Sequence, residues 1–406
     1  MKKGWQAKKL GNICEFVRGP FGGSLKKSVF VEDGYAVYEQ QHAIYNQFED
    51  IRYFIDKTKY QEMRRFELRP NDIIMSCSGT MGKVAITPAN IKPGIINQAL
   101  LKLTPSSAIS SVFLKYWMGS DEFQNSIQEQ SGGAAIQNVT SVSILKEIQI
   151  SLPPLPEQQR IVGILDEAFE SIATAKANTE KNLQNARALF ESHLQSVFCQ
   201  SGEGWVEKPF SELCEIKHGY AFKSEFFAVE GDYVLLTPGN FYESGGYRDR
   251  GEKQKYYSGE IPHDYVLNNG DLLVAMTEQA AGLLGSPILV PESNRFLHNQ
   301  RLGKVISKPG IKWTNEFFFY VFNTQAVRKE IHATASGVKV RHTSPTKIGD
   351  VIVSFPTSFS EQRAIVSTLN NLVDETQCLE SIYQRKLAAL EELRKSLLNK
   401  AFNGEL

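Results

Sequence analysis

Two stretches of this chain constrain its fold more than anything else in it. Residues 152–166 read LPPLPEQQRIVGILD and residues 355–369 read FPTSFSEQRAIVSTL. In the first, the prolines lack an amide donor and push the residue before each toward extended backbone. Pro156 then falls where a helix tolerates proline, in its first turn. Glu157 follows, where a carboxylate suits the positive end of the helix dipole. In the second copy Ser358 or Ser360 can cap the same entry ahead of Glu361. From 157 to 199 there is no proline and only one glycine, Gly163; from 361 to 402 there is neither. Apolar residues recur at spacings of three and four, as in Ile161, Ile164, Leu165 and Ala168, or Ile365, Val366, Leu369 and Leu372. That pattern predicts two long helices with one apolar stripe each. Each would reach about 60–65 Å at roughly 1.5 Å per residue. The simplest partner for each stripe is the other helix, in an antiparallel coiled coil.

The repetition extends over the whole chain at an offset near 200. Trp5, Lys8, Cys14, Glu15 and Gly19 meet Trp205, Lys208, Cys214, Glu215 and Gly219. Asn97-Gln98 faces Asn299-Gln300, Ser131-Gly132 faces Ser336-Gly337, and Glu157-Gln158 faces Glu361-Gln362. A period this long is a duplicated domain-plus-helix, not a solenoid of short repeats. The first helix runs into GEGW at 202–205; the second runs into NGEL, and the chain starts MKKGW. Both junctions have the same form, so a pseudo-two-fold, circular organisation is expected.

Between the helices, short β-like runs such as DIIMS, KVAIT, DLLVAM and SPILV sit among turn signals. Each block closes with a helix-like piece, residues 111–130 and 316–333. The expected fold class is α+β, with two tandemly duplicated domains of mostly antiparallel sheet separated by the long helices. The boundaries read 1–152 for the first domain, 153–201 for the first helix, 202–356 for the second domain and 357–406 for the second helix.

Catalytic signatures are missing. The only PP, Pro153-Pro154, precedes the helix and is not part of a methyltransferase Asn/Asp-Pro-Pro-aromatic motif. Gly79-Thr80-Met81-Gly82-Lys83 lacks the spacing and following helix of a phosphate loop. No HExxH, GxSxG or metal-ligand cluster is found. The five cysteines are widely spaced with no CxxC pair, which points to reduced, mostly buried thiols. The chain is therefore expected to be non-catalytic, with no metal and no cofactor of its own. No apolar run approaches the roughly 20 residues of a membrane span, and the lysines at the start precede no apolar segment. A cytoplasmic location is expected. Net charge is zero; residues 1–150 are mildly basic, with 18 Lys and Arg against 14 Asp and Glu. That balance is less basic than in most DNA-binding proteins.

Several loops nevertheless mix glycine with side chains that can read base edges or hold phosphates. The first block offers Arg18, Lys26, Lys27, Gln40, Gln41, His42, Thr80, Lys83, Gln137 and Asn138. The second offers His218, Tyr220, Lys223, Asn240, Tyr242, Arg248, Arg250, Thr277, Gln279, Lys339, Arg341 and His342. These are the candidate DNA-binding residues; each also has a plain reading as part of a solvated loop.

The segments LPPLPEQQRIVGILDE and FPTSFSEQRAIVSTLN, GPFGGSLKKS at 19–28 and SGGAAIQNVTSVSILKEIQISLPPLPEQQ at 131–159 make the chain similar to the specificity subunits of type I restriction–modification systems. The likeness covers nearly the whole chain. The second copy departs from the pattern, lacking the double proline and carrying Ala364 at the Arg160 position. The resemblance implies a DNA-binding subunit defending against foreign DNA. Each domain would read one half of a bipartite, asymmetric target in double-stranded DNA, and the helix pair would fix the spacer. It implies two copies of a modification (methyltransferase) subunit as partners, with restriction/translocase subunits joined through them. S-adenosylmethionine, ATP and Mg²⁺ would belong to those partners. The alternatives are a coiled-coil adaptor binding only proteins, and the recognition unit of a related DNA-modification defence system.

Overall fold

The computed structural model describes residues 4–129, 141–199, 202, 204–279 and 281–406. The two long helices are Leu155–Cys199 and Phe359–Asn403, 45 residues each. Pro156 lies in the first turn of one. Ser358 immediately precedes the other, its hydroxyl 2.8 Å from that of Ser360 inside the first turn. The chain forms two compact units, residues 1–181 with 384–406, and residues 182–383. Each unit holds one α+β domain and part of each long helix.

In the first unit, Ile161 and Leu165 near the start of the first helix share a core with Leu398, Ala401 and Phe402 near the end of the second. In the second unit, Leu194 near the end of the first helix packs with Leu369 near the start of the second. Start meets end in both, so the helices run antiparallel. Arg187 and Glu380 join them by an ion pair of 2.8 Å within the second unit.

The repeated domain openings find their reason in strand pairing. Gln6–Lys9 pairs antiparallel with Gln149–Leu152, and Trp205–Pro209 pairs with Ile352–Pro356. Each domain is thus closed by its first strand lying against the strand that leads into the long helix. Behind these pairs, Cys14–Arg18 and Cys214–His218 are edge strands of four-stranded antiparallel sheets, bonded to Leu100–Pro105 and Leu302–Ser307. A second four-stranded sheet in each domain contains one parallel pair, Tyr35–Tyr38 with Gly94–Ile96 and Val234–Leu235 with Phe296–Leu297. Gly19 and Gly219 are matched for a steric reason. A Cβ would lie 1.8 Å from the Asn97 carbonyl oxygen at one and 2.3 Å from that of Asn299 at the other.

Each expected single helical piece is two helices. Ser111–Met118 and Asp121–Glu129 are separated by Gly119-Ser120, and Asn315–Asn323 and Gln325–Ala333 by Thr324. The hydroxyls of Ser120 and Thr324 bond back to the carbonyls of Trp117 (2.7 Å) and Val321 (2.8 Å), which competes with helix continuation. Neither pair closes its domain, because the strand leading to the long helix comes later. Cys14, Cys77 and Cys214 are buried, which pushes their thiols up to about 12; Cys199 and Cys378 are exposed. No helix among the described residues is long and apolar enough to cross a membrane.

The Glu-Gln pair repeated in the sequence is where domain and helix are joined. Gln158, fully buried, donates to the carbonyls of Ala108 (3.0 Å) and Pro153 (2.9 Å) and accepts from the Ser110 amide (2.9 Å). Gln362, equally buried, donates to Lys312 and Pro356 (2.9 Å each) and accepts from the Thr314 hydroxyl (3.1 Å). Two turns further on, the Tyr116 hydroxyl bonds the Asp166 carboxylate, and the Tyr320 hydroxyl bonds Asn370 Oδ1 at 2.6 Å. Each domain is thereby pinned to its helix at two points. Gln158→Leu and Gln362→Leu each leave three polar groups without that partner, one of them a buried carbonyl, Pro153 or Pro356, and two part-buried. Each is expected to lower unfolding free energy by about 1–3 kcal/mol, measured by urea unfolding, with Tyr320→Phe costing about 1 kcal/mol.

Candidate nucleic-acid interface

In the second domain the polar loops meet around a cleft of about 920 Å³. Four cations line it: Arg248, Arg250, Lys255 and Arg301. Tyr242, Thr277 and Gln279 add hydrogen-bonding groups to its walls. Two carboxylates, Glu243 and Glu278, also reach it, but the Glu278 side chain is buried and ion-paired with Arg341 at 3.1 Å. The positive charge therefore dominates the open side. The Arg248 guanidinium lies 5.8 Å over the Tyr242 ring, and Lys255 lies 5.3 Å over the Phe227 ring. Such stacking holds a cation in place while leaving its N–H groups available.

The loops carrying these residues are fixed from below. Asn240 is buried; its amide donates to Gln254 Oε1 (2.9 Å) and the Arg248 carbonyl (3.3 Å) and accepts from the Thr237 amide (3.0 Å). The Ser286 hydroxyl holds the Tyr242 carbonyl at 2.5 Å. On the hairpin 336–342, Lys339 and His342 are exposed, while Arg341 is half-buried and also donates to the His332 carbonyl at 2.6 Å. His218 is exposed at the end of the strand Cys214–His218, and Tyr220 and Lys223 are exposed on the loop that follows it. Tyr220 rests against Phe222 and Tyr265.

The first domain presents its candidates less compactly. Lys26, Lys27, Thr80 and Lys83 are exposed, and Arg18 ends its strand half-buried. The 77–83 loop is gathered by Ser76, whose hydroxyl donates to the Thr80 carbonyl (2.6 Å) and accepts from the Lys83 amide (3.0 Å). Gln40 and Gln41 are half-buried on the short helix Gln40–Tyr45, and Gln41 donates to the Asp50 carbonyl at 3.2 Å. His42 is fully buried. Its Nδ1 accepts from the Glu39 amide (2.8 Å) and its Nε2 lies 3.1 Å from the Asp50 carbonyl.

Among the residues singled out from sequence, the cleft thus brings together Tyr242, Arg248, Arg250, Thr277 and Gln279. Asn240 and His42 are buried supports whose polar atoms are spent on neighbouring loops, while half-buried Arg341 bonds Glu278 and the His332 carbonyl. Gln137 and Asn138 lie outside the described residues. Sequence reasoning missed Lys255, Arg301 and Glu278. Lys255 ends the basic run YRDRGEKQK, and Arg301 follows the repeated Asn299-Gln300, so a signal was present for both. Among the described residues no group of three or more His, Cys, Asp or Glu is placed to hold a metal ion.

The model for the type I restriction modification DNA specificity domain matches the chain twice, over residues 2–185 and 202–387. The chain belongs to this specificity family. Its similarity to individual members is low in identity and long in reach. The type I restriction enzyme MjaVIII specificity subunit of Methanocaldococcus jannaschii is 23% identical over 99% of this chain and 93% of its own length. The EcoKI specificity subunit of Escherichia coli K12 is 24% identical over 100% of this chain and 90% of its own. A chain solved in a study of assembly and conformational transition of the type I R-M system superposes with a TM-score of 0.79. It is 18% identical and covers 100% of this chain and 99% of its own. The crystal structure of the HsdS subunit from Thermoanaerobacter tengcongensis gives a TM-score of 0.65 at 17% identity, covering 100% and 98%. These superpositions place the specificity chain in the same fold.

Beneath the second domain's surface, His298 is buried, its Nε2 2.9 Å from the Leu302 carbonyl. Burial lowers its pKa to about 4, with Lys304 and His218 adding to the effect and the Leu302 bond and Asp271 opposing it. The ring is neutral in the fold, so between about pH 6.5 and 4 the unfolded chain binds the extra proton. Stability from this group is complete above pH 6.5 and falls as pH drops toward 4, by about 3 kcal/mol in all. Urea unfolding from pH 7 to 4.5 is expected to show a steeper loss for the native chain than for His298→Gln.

Proposed function

We propose that the chain is the DNA-specificity subunit of a type I restriction–modification complex. The observation that carries this reading is the double match to a DNA specificity domain, on two folded domains built alike but carrying different loops. Each domain reads one half of a bipartite target, and because the loops differ the halves differ. The cationic cleft of the second domain engages phosphates with Arg248, Arg250, Lys255 and Arg301, while Gln279, Thr277 and Tyr242 reach base edges. In the first domain Lys26, Lys27, Thr80 and Lys83 are the exposed candidates for the same work. The near-zero net charge fits a chain that supplies base contacts while partners close the phosphate clamp.

The long helices act as the spacer. A domain pinned to its helix by a buried glutamine and a tyrosine moves with that helix, so half-site separation follows from protein dimensions. Exposed apolar residues recur at matching helix positions, Leu155 with Phe359 and Leu189 with Leu393. Exposed apolar side chains at repeated positions suit two copies of one partner. Those partners are two methyltransferase subunits, which supply S-adenosylmethionine and the chemistry; restriction subunits using ATP and Mg²⁺ join through them. The chain itself is non-catalytic and works in the cytoplasm.

Methylome sequencing tests this in a host carrying the chain with its methyltransferase partner, against a host lacking only the chain. A split, asymmetric methylated motif that depends on the chain is expected; identical methylomes would refute the reading. Inserting about seven residues at matched points in both helices is expected to lengthen the unread spacer and leave both half-sites intact. In binding assays of the complex, Arg248→Ala and Arg301→Ala are each expected to reduce the slope of log affinity against log salt by about 0.9.

A further inference from the structure

One buried carboxylate organises the cleft of the second domain. Glu278 is 3% exposed. Its Oε2 accepts from three consecutive backbone amides, those of Gly282 (2.9 Å), Leu283 (2.8 Å) and Leu284 (3.1 Å). Its Oε1 lies 3.1 Å from Arg341 Nη1 and 3.7 Å from His332 Nδ1. The strand Thr277–Glu278 pairs with Arg341–His342, Glu278 facing Arg341. Arg328, one turn before His332 on the helix Gln325–Ala333, donates to the carbonyls of Gly282 and, at 3.1 Å, Glu243. The turn after residue 278, the hairpin at 336–342, the helix and the 243 loop are therefore all tied to, or one bond from, the same group. Thr277, Gln279, Glu243 and Val340, which sit on those segments, line the cleft.

The first domain closes the equivalent connection differently. Between Ile73–Ser76 and Val84–Ile86 the loop is four residues shorter than between Leu272–Ala275 and Pro287–Leu289, and a serine hydroxyl suffices to gather it. The longer connection leaves more backbone amides to satisfy, and a carboxylate can accept several at once. Three amides and a guanidinium on one buried anion make a support that loses most of its bonds together when the charge is removed.

We propose that Glu278 is a positioning residue for base discrimination in the second half-site. It touches no base; it sets the place of Thr277 and Gln279 against double-stranded DNA. This rests on the specificity-subunit reading above. The test uses the full chain with its methyltransferase partner and a DNA library varied in both half-sites, with methylation read by sequencing. Glu278→Gln keeps the size of the side chain but removes its charge and replaces one carboxylate oxygen by an NH2 donor, so the three amides and the Arg341 guanidinium can no longer both be accepted. It is expected to reduce discrimination in the second half-site by about tenfold and leave the first half-site as in the native chain. Unchanged discrimination in the second half-site overturns the proposal. So does an equal loss of methylation on every sequence, which would mark a purely structural role. If E278Q does not fold, Arg341→Gln, which spares the three amide bonds, is expected to relax the same half-site less; unaltered base preference in that variant also overturns the proposal. A native chain that confers no sequence-dependent methylation at all would instead bring down the specificity-subunit reading itself.

Discussion

Everything in this molecule hangs on two buried glutamines. Gln158 and Gln362 take the first turn of a long helix and bond it on three sides to the domain that precedes it. Both glutamine side chains are themselves removed from water, so their bonds are specific in direction and costly to leave unmade. The tyrosine anchors eight residues further along turn a single joint into a fixed mounting. A domain held at one point could swivel; held at two, it follows the helix as a rigid piece. Within each unit the antiparallel helix segments pack on each other, and in the second unit Arg187 and Glu380 join them as well.

On that frame the domains differ where they face outward. The scaffolding strands repeat with the same pairing, while the connections between them vary in length and chemistry. In the second domain the variation has produced a cleft rimmed by arginine and lysine and supported from beneath by Asn240, Gln254 and Glu278. In the first, Ser76 and His42 perform comparable service for shorter loops. Buried polar groups of this kind stabilise modestly, but they specify one loop conformation among many, and recognition of a base edge depends on that.

The long-range order was legible in the sequence because it rests on periodicity and repetition, which a single chain displays. The helices at Leu155 and Phe359 announced themselves by proline before and apolar spacing after. The duplication was visible as matched Trp5 and Trp205, Gly19 and Gly219. What could not be read were decisions made in three dimensions. His42 and Gln40 look alike as loop polar residues, yet one is sealed under Phe48 and Tyr38 and the other is half-open. Thr324 breaks a helix that propensity alone would continue, because its hydroxyl is better used turning the chain. Glu278 is one acid among many until the three amides that converge on it are located.

The strand pairs Gln6–Lys9 with Gln149–Leu152 and Trp205–Pro209 with Ile352–Pro356 have a genetic consequence. Partners in such a ladder are about 5 Å apart, so each domain enters and leaves its frame through adjoining doors. A gene segment encoding one domain can be exchanged for another of different loop content without altering the frame, provided the two strand ends still pair. New target preferences can then arise by reassortment of whole cassettes, faster than by accumulating single substitutions inside one loop.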